Sequence, residues 1–147
     1  MPSNSLLEER IKELNCLYNI SKLIENEDSL EIVFNESTNL IKEAWQYPEN
    51  TCVKIKIDNE EYKTENFRET NWKQSSYIKL RNECIGKLEI YYLKKMPNCF
   101  EGPFLKEERD LIDAIADRFG KVIERKKALS DLRTLHKELE VKAKNLQ

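Results

Sequence analysis

Four cysteines are the side chains best suited to covalent chemistry, at Cys16, Cys52, Cys84 and Cys99. They are widely spread and form no Cys-x-x-Cys pair, and in a cytosolic setting such thiols stay reduced. Cys84 opens a predicted strand, and Cys99 lies in the loop beyond that strand's end. A loop that folds back would bring the two sulfurs together, as a thiol-dependent reductase requires. Reactivity also needs a depressed thiol pKa. No neighbouring residue in the sequence supplies one, so incidental thiols are the simpler expectation. A second grouping is polar. Gln74 and Ser76 share a strand face with Trp72, Ile78 and Leu80. If that face points inward, two polar groups sit beside aromatics and need partners. A ligand, a water or the neighbouring strand can supply them, and Tyr62 on the adjacent hairpin can line the same space. Tyr62, Trp72, Gln74 and Ser76 are therefore the candidate small-molecule site.

Other chemistry is poorly supplied. The single histidine, His136, falls in the C-terminal tail, where a polar seam residue sets helix register. Its context, Leu135-His136-Lys137-Glu138-Leu139, does not match a phosphoacceptor histidine box. One histidine and four scattered cysteines lack structural-zinc spacing. Gly86, Gly102 and Gly120 stand alone, so there is no phosphate loop. The Glu107-Glu108 pair reads as a solvated helix face, and so does the basic run Arg125-Lys126-Lys127. The sequence implies no cofactor and no metal.

The elements that must hold these residues follow from composition and period. The 147 residues, 39% hydrophobic and 35% charged, suit one modest core rather than several. Basic residues number 25 and acidic 27, a balance that argues against a nucleic-acid partner. Three glycines and four prolines exclude linker-rich chains and favour long helices. No apolar run is long enough for a membrane span, and the first residues lack a signal-peptide stretch. The expectation is a cytoplasmic protein with no membrane partner.

Leu7, Ile11, Leu14, Tyr18 and Ser21 step by four and three, a heptad seam on a helix over 5–26. Asp28-Ser29-Leu30-Glu31 opens a second helix, which Tyr47-Pro48 ends. Strict alternation predicts strands over 51–57, 61–65, 72–80 and 84–93, paired as two hairpins turning at Asp58-Asn59 and Arg81-Asn82. From 106 to 147 there is no proline, and the predicted helix of about 60 Å outruns a domain about 30 Å across. Its second half narrows to a seam of Leu129, Leu132, His136, Leu139, Ala143 and Leu146. An isolated helix of this kind gains little without packing. The simplest partner is a second copy, through Leu7, Ile11, Leu14, Leu129, Leu132, His136, Leu139 and Leu146. The fold class is α/β of the α+β type: an antiparallel sheet of about four or more strands packed against helices, with long N- and C-terminal helices. The divisions are an amphipathic helix over 1–27, a globular domain over 28–127 and a coiled-coil exit helix over 128–147.

The run Gly102-Pro103-Phe104-Leu105-Lys106-Glu107-Glu108-Arg109-Asp110-Leu111-Ile112-Asp113-Ala114-Ile115-Ala116 resembles the end of GAF domains. The strand Ile85-Gly86-Lys87-Leu88-Glu89-Ile90-Tyr91-Tyr92 is similar to that family's last strands. Val122-Ile123-Glu124-Arg125-Lys126-Lys127-Ala128 looks like the exit helix that joins such domains to kinase cores. The resemblance spans roughly 28–128. It implies a non-catalytic sensor or relay domain of two-component-type signalling, a homodimer with a possible small-molecule ligand and a kinase or other output domain as partner. Between the hairpins only 66–71 is available to roof a pocket. The cyclic-nucleotide subgroup's Asn-Lys-Phe-Asp-Glu set is absent, and no core histidine is present to ligate haem. Two alternatives stand beside this reading: a small GAF-type thiol enzyme using Cys84 and Cys99, and a purely structural dimerisation adaptor.

Overall fold

The computed structural model describes residues 2–145, with side chains from residue 7 on. In chain order it holds α1 (Pro2–Asn26), α2 (Leu30–Ala44), a 3-10 turn (Pro48–Asn50), β1 (Thr51–Ile57), β2 (Glu60–Lys63), β3 (Lys73–Leu80), β4 (Glu83–Tyr92) and α3 (Lys106–Asn145). The architecture is α+β: the four strands form one antiparallel sheet in the order β2-β1-β4-β3. Capping and turn chemistry set the boundaries. The Ile32 amide donates to Ser29 Oγ at 3.4 Å, so Ser29 is the N-cap of α2. At the tip of the β3–β4 hairpin, Arg81 and Asn82 take φ of 52° and 70°. Two left-handed residues in succession are what a type I′ hairpin turn requires.

Alternation along the strands separates two faces. Val53, Ile55, Ile78, Leu88 and Ile90 are fully buried on the face that meets the helices. Lys54, Lys56, Lys87 and Glu89 pair with one another across the opposite face. Helix α2 packs on β1 and β2, and α3 packs on β3. Helix α1 lies over α2 and α3 rather than on the sheet. At the centre Phe34 sits edge-on to Phe119 at 5.1 Å and tilted against Tyr62 at 5.4 Å. Burying such side chains contributes about 1.5–3 kcal/mol each. Cys16 and Ile20 of α1 belong to this same core. The C-terminal half of α1 is therefore part of the globular unit, not a separate segment ahead of it.

Helices α1 and α3 run parallel. Glu13 lies near Glu107 and Asp110, Arg118 bonds to Ser21 Oγ, and Lys126 Nζ donates to the Asp28 carbonyl at 2.7 Å. The partners advance together along both helices. Helix α3 is held close to the edge strand at Gly120, where an added Cβ would stand 2.2 Å from the Lys79 carbonyl oxygen. Only glycine permits that approach. Beyond Lys126 every described residue of α3 is exposed. Residues 127–145 thus form about 28 Å of helix projecting past the core, at 1.5 Å per residue. No helix among the described residues is long and apolar enough to cross a membrane.

Candidate functional site

The inward face of β3 places Gln74 and Ser76 as expected, but the protein itself supplies their partners. Gln74 is 1% exposed. Its Oε1 accepts from Trp45 Nε1 at 3.1 Å, and its Nε2 donates to Glu101 Oε1 at 2.8 Å. Glu101 is held from the other side by Arg109, whose Nε and Nη2 donate to its two oxygens at 3.1 and 2.7 Å. The Arg109 guanidinium, then Gln74, hold the Glu101 carboxyl below its ordinary pKa against the opposing effect of burial. Arg109 Nη1 reaches Asp113 Oδ1 at 2.9 Å and the Ser75 carbonyl at 3.0 Å, and Ser76 Oγ donates to Asp113 at 2.8 Å. The result is one hydrogen-bonded chain from the end of α2, across the sheet edge, onto the first turns of α3. It fastens α3 to the sheet.

Trp72 is half-buried against the core beside this chain. Tyr62 is elsewhere. In the cross-sheet register Tyr62 pairs with Ile55, Ile55 with Leu88, and Leu88 with Ser76. Tyr62 and Ser76 are therefore on opposite edge strands, three strand spacings or about 14 Å apart. The four candidate ligand residues do not line one space. Adjacency of the hairpins in sequence does not bring Tyr62 beside Ser76, because β4 lies between β1 and β3.

The expected pair of thiols also separates. Cys84 is exposed at the start of β4, with its Sγ donating to the Gly86 carbonyl at 3.4 Å. Cys99 is exposed near Tyr92, at the other end of the same strand. Eight strand residues, or roughly 27 Å, lie between those ends. The 94–105 loop closes on itself instead of folding back, with the Cys99 amide donating to the Gly102 carbonyl and Glu101 bridging to Phe104. Cys16 and Cys52 are buried, and burial pushes the Cys16 thiol up to about 12. Neither is activated.

Glu108 departs furthest from expectation. Read as half of a solvated pair with Glu107, it is 2% exposed. One oxygen accepts the Leu105 amide at 2.8 Å, which closes the first turn of α3. The other accepts the Gln46 amide at 2.7 Å and the Tyr92 hydroxyl at 3.2 Å. One carboxylate thus ties the end of α2, the end of β4 and the start of α3. Burial raises its pKa to about 7, against the three bonds that lower it. The signal in the sequence was positional: Glu108 is the third residue of α3, the place of a capping-box glutamate. The cap itself is Leu105, not Ser or Thr, so the motif was hidden.

The largest unsatisfied apolar surface is helical. On α1, Leu7, Ile11, Leu14 and Tyr18 are 48–62% exposed. On the α3 tail, Leu129, Leu132, Leu135, Leu139 and Val141 are 45–63% exposed. His136 is exposed in this seam, with Nε2 3.0 Å from Glu140. Leu146 lies outside the described residues. Between the two stripes, α1 and α3 enclose a groove of about 460 Å³ lined by Ser21, Ile24 and Glu25 on one wall and by Asp117, Arg118, Lys121 and Arg125 on the other. No protein-family model matches the chain, and no curated protein matches it.

Proposed function

We propose that this chain is a GAF-like, non-catalytic sensor or relay domain that pairs with a second copy, in parallel, through α1 and α3. The observation that carries the reading is the pair of apolar stripes left open at opposite ends of two parallel helices. The seven seam leucine, isoleucine and tyrosine side chains on 7, 11, 14, 18, 129, 132 and 139 are each 45–63% exposed, apolar surface that a second copy would cover. Leucines at 132 and 139 with a single polar residue at 136 match the seam of a parallel two-stranded coil. The helix-covered antiparallel sheet, with its last helix running outward, supports the GAF-like part of the reading.

In such a device the exit helix carries a change of arrangement to a kinase or other output domain. A small molecule drives that change only if it binds the two arrangements unequally. Entry at Gln74 or Ser76 would first break their bonds to Trp45, Glu101 and Asp113, so the helical surface carries the proposal and the polar chain does not. The thiol-enzyme reading has no paired sulfurs to work with. The adaptor reading differs only in having no ligand at all.

Light scattering on the whole chain and on a version ending at Lys127 tests the pairing. The expected mass is twice 17.5 kDa for the whole chain, falling toward that of one copy on truncation. Leu132→Asp with Leu139→Asp, both on exposed positions, should do the same. A monomer for the whole chain at high micromolar concentration sinks the proposal.

A further inference from the structure

The groove between α1 and α3 has a property that the pairing turns into a site. Seven residues make two turns of a helix less about 20°, so positions seven apart share a face. Stepping back from Leu139 and Leu132 by sevens reaches Arg125 and Arg118. The face that carries Leu132 and Leu139 in the tail therefore carries Arg118 and Arg125 inside the domain. Lys121 stands between the two arginines on the same wall of the groove. Among the described residues Lys121 has an ion pair, with Asp117 at 3.0 Å. Arg118 donates to the neutral Ser21 hydroxyl. The groove's acids are Glu25 and Asp117, and one of those is already engaged.

Resting on the parallel dimer, we propose that pairing brings the two grooves together into a basic chamber on the two-fold axis that binds a small multivalent oxyanion of the phosphate or pyrophosphate class. Each copy contributes Arg118, Lys121 and Arg125 against Glu25 and Asp117. Guanidinium groups that face their own copies repel, and a multivalent oxyanion relieves this by accepting from several of them in fork geometry. The anion thereby favours the paired state over the single chain, as any ligand of one state alone must.

The test uses the full chain and inorganic pyrophosphate, against sodium chloride at matched ionic strength. The dimer dissociation constant is read by sedimentation velocity. Pyrophosphate is expected to tighten the dimer at least tenfold, with phosphate weaker. Arg118→Gln with Arg125→Gln should remove that response, yet pair as well as or better than the parent in chloride, because the repulsion is gone. Both positions are exposed, and an unchanged urea midpoint confirms that the variant folds. A dimer indifferent to pyrophosphate, or a variant that responds as strongly as the parent, overturns the chamber and leaves the dimer standing. No dimer in either salt overturns both.

Discussion

Glu108 makes the fold sensitive to pH in a direction opposite to that of most surface carboxylates. Its pKa is raised from the ordinary 4.5 to about 7 by burial. The folded state therefore holds this proton more tightly than the unfolded chain does. The contribution to stability is complete below about pH 4.5 and is lost as the pH rises through about 7. The gap between those values corresponds to roughly 3 kcal/mol. Glu13, also raised by burial, acts in the same sense, while Glu101 is lowered and acts below this window. A single variant isolates the main group. In Glu108→Gln one side-chain oxygen replaces two, so one of the Leu105 and Gln46 amides meets an NH2 group, at a cost of about 1–3 kcal/mol at low pH. The variant no longer pays for a buried charge, so its disadvantage should shrink as pH rises from 5 to 8 and reach about zero near pH 8. Urea midpoints at constant slope, measured at half-unit steps for both proteins, give the difference directly. A parent–variant gap that stays constant or widens with pH refutes the reasoning. It would mean that the two backbone bonds and the helix N-terminus keep the carboxylate ionised throughout.

Three further outcomes follow from the geometry. Arg109→Ala removes both bonds to Glu101, the Asp113 contact and the bond to Ser75, and since the guanidinium is partly exposed a loss of about 1–2 kcal/mol is expected in urea unfolding; a change below about 0.5 kcal/mol would show that the chain of bonds does not fasten α3. Gly120→Ala drives a methyl into the Lys79 carbonyl oxygen and should destabilise by about 2–4 kcal/mol, while an unchanged midpoint would place α3 further from β3. Iodoacetamide with mass spectrometry should label Cys84 and Cys99 at once and Cys16 and Cys52 only on unfolding. Rapid labelling of Cys16 would contradict its burial between α1 and α2.

What was legible in the sequence was what is local. The period-two runs over 51–57 and 84–93, the proline at 48 and the proline-free stretch after 106 each express their structure through near neighbours, and β1, β4 and the start of α3 appear within a residue of their expected bounds, while α1 begins three residues earlier than expected. The inward turn of Gln74 was legible for the same reason, because Ile78 and Leu80 fix the face. Its partners were not. Trp45 and Glu101 lie 29 and 27 residues away, and Gln46 lies 62 residues from Glu108. Hydrophobic period reports whether a side chain is buried among apolar ones. It carries no term for a charge buried among donors, so Glu108 reads like its half-buried neighbour Glu107. Strand order is not a local property either. A hairpin fixes which strands pair through a turn, but that β4 rather than β3 pairs with β1 is a long-range outcome, and α3 then meets the outer strand where Gly120 faces Lys79 and Arg109 reaches Ser75. Two of the residues that fix α3 against that strand, Gly120 and Arg109, are thus a small one and a polar one. Apolar periodicity carries no signal for either.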